Sequence, residues 1–386
     1  MEMGIQMVTN VSYDVAIVGG GLGGLALCIQ SARAGYRTIL FEKEEYPFHR
    51  VCGEYISLES WNFLEDLGLP LSDMNVPIIK RLLVSSPSGR AIHKGLPLGG
   101  FGISRYAIDY DLSQIAMRAG AVVSDGVKVT DVSFDGEGFT VQLAGAPPVK
   151  ATVVAGSFGK RSNLDVKWRR PFTLHRPNKL NNYIGVKYHI RTEHPADLIA
   201  LHNFSNGYCG ISQIEDNKYC LCYLTTAQNL KRCNNSIEEM EERVLRKNPY
   251  LEKIFSTSEF VLKQPVTISQ ISFEKKSPIE HNMLMVGDAA GMITPLCGNG
   301  MSMALHAGKL AFSEINHFME NGGNRTHMET RYATKWKKHF AGRLRIGRFI
   351  QFFFGHALLS NLLIAAVKPF PRITGWLIRQ THGEPF

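Results

Sequence analysis

A short glycine-rich turn between two apolar runs constrains this chain more than any other feature. The turn follows the apolar run Val15–Val18, and Gly19, Gly21 and Gly24 fall at the offsets of the pattern G-x-G-x-x-G. Glu42 closes a second apolar run eighteen positions after Gly24. A phosphate can approach backbone N–H groups where no Cβ intervenes, the following helix start offsets its charge, and a carboxylate can accept from a ribose hydroxyl. This order of elements therefore predicts a dinucleotide site.

A second glycine motif lies near the other end of the chain. The apolar run Met283–Val286 reads as a buried strand and leads into Gly287–Gly291 (GDAAG) and then Pro295–Gly300 (PLCGNG), before a helical pattern. The last two glycines would let backbone donors approach a flat ring, and the helix start favours negative charge, such as that on N1 and O2 of a reduced flavin. Asp288 would reach the ribityl or pyrophosphate region. Together the motifs predict a two-point flavin site, with a plain strand-to-helix turn as the alternative for the second.

These motifs carry a resemblance to a known family. The pairing of GGGLGG with GDAAG-x-x-x-P-x-x-G-x-G resembles the FAD-dependent fold of aromatic hydroxylases, flavin halogenases and geranylgeranyl reductases. The segment from Ser104-Arg105 to Ala119-Gly120-Ala121 is similar to the family segment R-x-x-F-D-x-x-L…A-G-A, in which the arginine lies near the flavin. The segment His49–Glu54 (HRVCGE) resembles the K-x-C-G-[ED] loop of the geranylgeranyl reductase branch. The resemblance covers about residues 13–312 and implies FAD as the cofactor.

Three departures from the family patterns narrow the reaction. Hydroxylases that use NADPH directly carry an Asp-Gly pair, whereas Phe158 stands at the position of the acid here. The four tryptophans are too scattered for the W-x-W-x-I-P signature of tryptophan halogenases. The aromatic W-x-F-P run of the reductase branch is replaced by Gly207–Ser212. We therefore expect neither hydroxylase-type nicotinamide docking nor halogenation, and a substrate pocket unlike that of a typical prenyl reductase.

Three functions are compatible with this site. The preferred one is an FAD-dependent oxidoreductase that reduces a double bond of a lipid-like isoprenoid, polyene or polyketide by hydride from reduced FAD, because the Arg50–Glu54 loop is reductase-like and Phe158 replaces the docking acid. NAD(P)H or another reductant would supply the electrons. The alternative is a monooxygenase that hydroxylates an aromatic or polyketide substrate. The third is a non-enzymatic lipid carrier, which has no need of a motif that cradles an isoalloxazine ring.

Cys52 and Tyr208 are the catalytic candidates. The resemblance places Cys52 beside the flavin, where it could donate a proton or shape the pocket, and a buried apolar cysteine is the alternative. Tyr208 could orient substrate or be an ordinary strand aromatic. His49 and Glu54 could relay protons, or be solvated or salt-bridged. The predicted cofactor-binding residues are Gly19, Gly21, Leu22, Gly24, Glu42, Arg50, Cys52, Arg105, Gly287, Asp288, Gly298, Asn299 and Gly300.

The length of 386 residues and the 44% hydrophobic content favour a discontinuous pair of domains. We predict an α/β fold in which a Rossmann-type FAD-binding domain (11–79, 100–165 and 270–324) is interleaved with a β-rich substrate domain (80–99 and 166–269). Within the latter, the alternation over Ile184–Ile190 predicts a half-buried strand. Seven cysteines without a C-x-x-C pair or His/Cys ligand spacing favour reduced thiols in a cytoplasm and no metal. The first twelve residues do not form a secretory signal pattern.

The C-terminal region 325–386 carries the whole net charge of +9, with eleven Lys and Arg against two acids. It also contains the apolar runs Phe349–Phe354, Leu358–Val367 and Trp376–Ile378, which polar residues interrupt too often for a transmembrane helix. We predict basic helices here. They would either lie as a peripheral contact on the anionic inner face of a membrane or cover the catalytic domain, with the basic residues solvated. Nucleic acid is not expected, because no recognition motif accompanies the charge.

Overall fold

The computed structural model describes residues 12–175, 178, 181–294, 298–353 and 383–386, with side chains to 349 in the long C-terminal helix. The strands are β1 (Ser12–Val18), β2 (Thr38–Phe41), β3 (Tyr55–Ser57), β4 (Ile78–Ser85), β5 (Ala91–Gly102), β6 (Val122–Ser124), β7 (Val129–Phe134), β8 (Phe139–Leu143), β9 (Val149–Gly156), β10 (Tyr183–Arg191), β11 (Leu198–Phe204), β12 (Gly207–Gln213), β13 (Tyr219–Thr226), β14 (Glu259–Phe260), β15 (Val266–Ile271), β16 (Ile279–Glu280) and β17 (Met283–Met285). The helices are α1 (Leu22–Arg33), α2 (Trp61–Asp66), α3 (Arg105–Arg118), α4 (Asn163–Lys167), α5 (Pro171–Leu174), α6 (Ala227–Arg232), α7 (Ile237–Met240), α8 (Pro249–Thr257), α9 (Gly300–Asn321) and α10 (Arg325–Phe353).

The first sheet carries the early glycine motif. Its order is β16-β17-β9-β1-β2-β6, with β1 parallel to both neighbours and the β7–β8 hairpin attached to β9. Val15, Ala16 and Ile17 are completely buried, as expected for a parallel strand covered on both faces. The turn after β1 leads into α1, whose first residues are also buried. This is the strand, turn and helix order that the sequence predicts.

The second sheet is largely antiparallel and is built from segments that leave the first sheet and return to it. Its order is β14-β10-β13-β12-β11-β4-β5-β3, with β15 also paired to β10. The interleaved α/β fold with a Rossmann-type unit and a β-rich unit is thereby confirmed. The short strand β3 lies within the predicted FAD-binding segment 11–79, yet Tyr55 pairs with Gly102 of the second sheet. The domain boundaries themselves stay predictions.

Strand β10 differs from the sequence prediction in its burial. Residues Ile184–Ile190 are buried throughout, so the expectation of a half-buried strand is wrong. Val186, Tyr188 and Ile190 pack in an apolar core on one side. Lys187 and His189 point to the other side, where they bind a buried carboxylate. Charged side chains at alternating positions normally indicate a solvated face, and here they indicate a buried ionic contact instead.

The described part of the C-terminal region packs on the first sheet and its helices. Tyr332, Trp336 and Phe340 of α10 are buried, and the Tyr332 hydroxyl donates to the carbonyl oxygen of Met285 at 2.6 Å. The carboxylate of Glu314 on α9 is buried and pairs with Arg331 and Lys335 of α10. This part of the helix therefore covers the domain, as one of the two alternatives proposed. The runs Leu358–Val367 and Trp376–Ile378 lie outside the described residues.

Candidate functional site

One cavity of about 1070 Å³ joins the two sheets. The predicted site residues that line it are Gly19, Gly21, Leu22, Glu42, Arg50, Cys52, Arg105, Tyr208, Gly287, Asp288, Gly298, Asn299 and Gly300. Gly24 does not line it. Residues from opposite ends of the chain therefore meet at one site, as the two-point prediction requires. Such a volume is at the upper end of the range for cofactor and ligand pockets.

The early glycine turn combines tight packing with an opening into the cavity. Gly19 has a φ of +107°, and a Cβ there would overlap the carbonyl oxygen of Ser157. A Cβ at Gly24 would overlap the carbonyl oxygen of Gly19, so this glycine allows the first turn of α1 to pack closely against the preceding turn. Gly24 therefore lies off the cavity wall. A Cβ at Gly21 would face the cavity, with Nη2 of Arg105 at 3.6 Å. The turn can thus admit a phosphate at Gly21 and the start of α1.

A chain of ion pairs borders this turn. The carboxylate of Glu42 accepts from the backbone N–H of Gly20 at 2.9 Å and from Nη2 of Arg50 at 2.8 Å. Arg50 also donates to Asp109 at 3.0 Å, and Arg105 donates to the same carboxylate at 2.7 Å. Burial raises the pKa of Glu42, but the charge and hydrogen bond of Arg50 outweigh it, and the pKa lies below its usual value. Glu42 is therefore an ionised acceptor that a ribose hydroxyl can use.

The late glycine motif lines another part of the cavity wall. Gly298 has a φ of +62°, and a Cβ there would lie 3.1 Å from the ring of Tyr55. Asn299 occupies the N-cap position of α9, and Gly300 begins this helix of 22 residues at the cavity. The carbonyl oxygen of Asp288 accepts from Nζ of Lys276 at 2.8 Å. Backbone donors at a helix start, free of Cβ atoms, suit the electron-rich edge of a flavin ring.

Cys52 lies in the cavity lining, together with the glycine motifs and residues of the second sheet. Its sulfur is 3.5 Å from Sδ of Met301, and its carbonyl oxygen accepts from the thiol of Cys220 at 3.2 Å. The Ser212 hydroxyl donates to the next carbonyl, that of Gly53, at 3.2 Å. Burial raises the pKa of the Cys52 thiol, an effect that the charge of Arg105 opposes without reversing. The thiol is therefore protonated near neutral pH and can serve as a proton donor.

Tyr208 belongs to the apolar end of the cavity. It lies on β12, is buried, and packs with Leu224, Ile271 and Phe273. Further lining side chains of this end include Ile268. An apolar wall of this kind suits a hydrocarbon ligand, and the role of Tyr208 in orienting substrate stays a prediction.

Sequence reasoning left Glu54 with several possible roles and missed its partners. The carboxylate of Glu54 is fully buried and accepts from Nζ of Lys187 and from Nε2 of His189, both at 2.6 Å. Burial raises its pKa, but the hydrogen bond from His189 and the charge of Lys187 prevail and bring it to about 2. The ring of His49 stacks on Tyr106 at 4.7 Å, and burial followed by the charge of Lys187 lowers its pKa to about 4. Glu54 is thus a fixed negative charge beside the cavity.

The part of the chain that the structure describes contains free thiols and no metal-binding cluster. The six cysteines in this part of the chain are free thiols. No group of three or more His, Cys, Asp or Glu side chains in these ranges is placed to hold a metal ion. Among the helices so described, none is long and apolar enough to cross a bilayer.

Comparisons with known proteins agree with this geometry. A family model described as FAD binding domain matches residues 14–49, which contain the early glycine turn and Glu42. The chain is 23% identical over 355 residues to conditioned medium factor receptor 1 of Dictyostelium discoideum, covering 85% of this chain and 68% of the relative. It is 22% identical over 368 residues to a digeranylgeranylglycerophospholipid reductase of Methanococcus vannielii, covering 85% of this chain and 83% of the relative.

Solved structures share the whole fold. A geranylgeranyl bacteriochlorophyll reductase-like protein of Thermoplasma acidophilum matches with a TM-score of 0.77 and 20% identity, covering 97% of both chains. A flavin-dependent brominase matches with a TM-score of 0.75 and 18% identity, covering 96% of this chain and 93% of the other. The chain is an FAD-dependent oxidoreductase. Within that class it resembles the geranylgeranyl reductase branch, and the predicted resemblance, fold and cofactor are confirmed.

Proposed function

We propose that this protein uses reduced FAD to reduce a carbon–carbon double bond in a lipid-like substrate, of the isoprenoid, polyene or polyketide type. One observation carries the proposal: a single cavity runs from the glycine motifs to an apolar sheet face, and a protonated thiol, Cys52, lies between them. The names of the relatives that are digeranylgeranylglycerophospholipid reductases support an isoprenoid lipid in particular.

The residues of the cavity fit FAD at both ends of the cofactor. Gly21 and Leu22 at the start of α1 would hold the pyrophosphate, and Glu42 the adenosine ribose. Gly298 and Gly300 line the cavity without a Cβ, so their backbone N–H groups would be accessible to the isoalloxazine ring. When bound and reduced, FAD supplies the hydride for one carbon of the double bond, and NAD(P)H or another two-electron reductant restores it.

The remaining steps belong to the side chains. Cys52 donates its thiol proton to the second carbon, so that one hydride and one proton add across the double bond, and the thiolate then regains a proton from solvent. The cationic Arg105 on the adjoining helix stabilises the transient thiolate. Tyr208 and its apolar neighbours on the second sheet hold the substrate chain and exclude water from the reacting carbons.

Substrate-dependent reoxidation of the flavin tests this proposal. FAD in the purified protein is reduced without oxygen, and an isoprenoid lipid with several double bonds is added. We expect reoxidation with formation of the saturated product, and at least tenfold slower reoxidation in Cys52→Ala with normal FAD content. Matched Cys222→Ala, also at the cavity wall, serves as the control and should change the rate little. Equal rates in Cys52→Ala and wild type would remove Cys52 from the reaction.

A monooxygenase is the second candidate, because hydroxylating and halogenating enzymes use the same fold. The brominase likeness supports the fold alone. Phe158, which stands at the position of the nicotinamide-docking acid, lines the cavity and has its ring 6.4 Å from that of Trp168. Oxygen uptake decides the matter: substrate-triggered NADPH consumption with one hydroxylated product per oxygen would replace reduction by hydroxylation.

We also propose a peripheral contact between α10 and anionic membrane, through which a membrane-dissolved substrate would reach the cavity. Lys337, Lys338 and Arg345 are exposed, and Phe349, one turn beyond Arg345 on the same helix, is 62% exposed. Each cation near an anionic leaflet contributes about 1 kcal/mol to the free energy of membrane binding. An inserted aromatic side chain adds to this attraction. Because α10 also supplies buried core residues, charge reversal is a cleaner test than truncation.

Co-sedimentation with vesicles measures this contact. Wild-type protein should pellet with vesicles rich in phosphatidylserine, less so in high salt, and the Lys337→Glu/Lys338→Glu variant should remain in the supernatant. As a control, Lys150→Glu reverses one exposed charge on strand β9, away from α10, and should not change pelleting. Equal recovery of wild-type protein with and without anionic vesicles would leave α10 only as a cover.

A further inference from the structure

Polar side chains of β10, β12 and β13 hold the loop Val51–Glu54 against the second sheet. The cross-strand register places Ser212 opposite Cys220, and Cys220 opposite His189. The hydroxyl of Ser212 and the thiol of Cys220 each donate to a loop carbonyl at 3.2 Å, and His189 contacts the carboxylate of Glu54. A row of three side chains across three strands thus fixes this loop.

Glu54 is the centre of this contact. One carboxylate oxygen accepts from Nζ of Lys187 at 2.6 Å and from the backbone N–H of Arg105 at 2.9 Å, and the other contacts Nε2 of His189 at 2.6 Å. The side chains of Glu54, Lys187 and His189 are at most 5% exposed. Glu54 also has a φ of +54°, a conformation that is unfavourable for a non-glycine residue and persists where the surroundings enforce it.

We infer that Glu54, Lys187 and His189 form a positioning cluster, which fixes the Cys52 thiol in the cavity wall and controls how readily that thiol gives up its proton. The inference deepens the proposed function, since it assigns the control of the proposed proton donor. Glu54 itself remains ionised between its two cationic or polar partners, so it acts as a fixed charge and does not exchange protons with the substrate.

The charge of each neighbouring group determines whether it favours the thiol or the thiolate of Cys52. Lys187 and Arg105 favour the thiolate of Cys52, and the negative carboxylate of Glu54 opposes it. The backbone N–H of Glu54 favours the thiolate, so that the same residue acts in two directions. The titratable or charged groups around the thiol and the cluster are His49 before the loop, Glu54 on the loop, Arg105 on α3, Lys187 and His189 on β10, and Cys220 and Cys222 on β13.

The test is the pH dependence of Cys52 alkylation by iodoacetamide in the full-length, FAD-loaded protein. Tryptic peptide 51–80 contains Cys52 as its sole cysteine, so mass spectrometry reads this thiol alone. Glu54→Gln should lower the alkylation midpoint by about one pH unit, because a negative neighbour is lost, and Lys187→Met should raise it by about as much. The double variant should return towards wild type, and the charge-conserving Lys187→Arg should leave the midpoint in place.

Opposite shifts support the cluster, because loosening of the loop alone would move both single variants in the same direction. Shifts of one sign, or none, would overturn it. If Glu54→Gln fails to fold, the contrast between Lys187→Met and Lys187→Arg still decides, and equal midpoints in these two would refute the inference. Turnover is measured separately: shifted midpoints with unchanged turnover in Cys52→Ala would uphold the cluster and refute the proton-donor role.

Discussion

Replacement of Gly308 by alanine should destabilise the protein and weaken FAD binding. Helices α1 and α9 cross where a Cβ at Gly308 would lie 2.5 Å from the carbonyl oxygen of Gly23, and a Cβ at Gly23 would lie 2.7 Å from that of Ala304. Backbone atoms cannot rotate away, so the helices must separate, at a cost of about 2–3 kcal/mol, in the upper part of the range for overpacking. Alanine returns up to about 1 kcal/mol of helix propensity. The net loss is about 1–2 kcal/mol.

Gly342 provides the matched control, since it lies within α10 and a Cβ there would meet nothing within 4 Å. Gly342→Ala should therefore gain about 0.5–1 kcal/mol. Thermal unfolding should show Tm lowered by about 1–3 °C for Gly308→Ala and raised by about 1 °C for Gly342→Ala. FAD titration should show a higher Kd only for Gly308→Ala, because α1 and α9 carry the two glycine motifs. A Gly308→Ala protein as stable as wild type, with the same Kd, would refute this account of the crossing.

Three further changes test separate parts of the structure. Gly21→Val should abolish flavin absorbance and leave the far-ultraviolet circular dichroism intact, because its side chain would enter the cavity; normal FAD content would mean that the pyrophosphate lies elsewhere. Burial lowers the pKa of His202 and His306 to about 3, so the unfolded chain takes up protons at a higher pH than the folded protein. The free energy of unfolding, measured with urea, should therefore fall from pH 7 to pH 5. His202→Asn should make this pH dependence weaker, and an unchanged pH dependence would exclude His202 as its source. Glu314→Gln should lower the free energy of unfolding by about 1–2 kcal/mol, which is less than for a fully buried ion pair because Arg331 and Lys335 are half exposed. The same change should speed tryptic cleavage of α10. An unchanged cleavage rate would show that these ion pairs do not hold the helix.

The cofactor side of the molecule could be predicted from sequence because its determinants are local. Gly19 and Gly24 are required by backbone contacts within a few residues or with the neighbouring strand, and Glu42 follows at the end of the next strand. The late motif is equally contiguous, from Gly287 to Gly300. Spacing along the chain therefore fixes spacing in the structure, and the fold class and FAD follow from it.

The substrate side could not be predicted in the same way. Lys187 and His189 reach Glu54 across 133 and 135 positions of the chain, so no local pattern signals the contact. Their alternation with apolar residues is typical of a solvated face, and only the fold shows that the Val51–Glu54 loop covers them. Net charge is similarly ambiguous, because Arg331 and Lys335 of the basic C-terminal region serve the buried carboxylate of Glu314.

The loop Arg50–Glu54 contains both kinds of determinant, the local contacts of the cofactor side and the long-range contacts of the substrate side. At one end Arg50 pairs with Glu42 and with Asp109, beside the predicted pyrophosphate position. At the other end Glu54 binds the second sheet, and the backbone N–H of Arg105 ties it to the same helix that holds Asp109. Cofactor contacts and the placement of the thiol therefore share one short segment. A ligand that displaces Arg50 from Glu42 would act on the segment that also carries Cys52, so the proposed FAD binding and proton donation would be coupled through this loop.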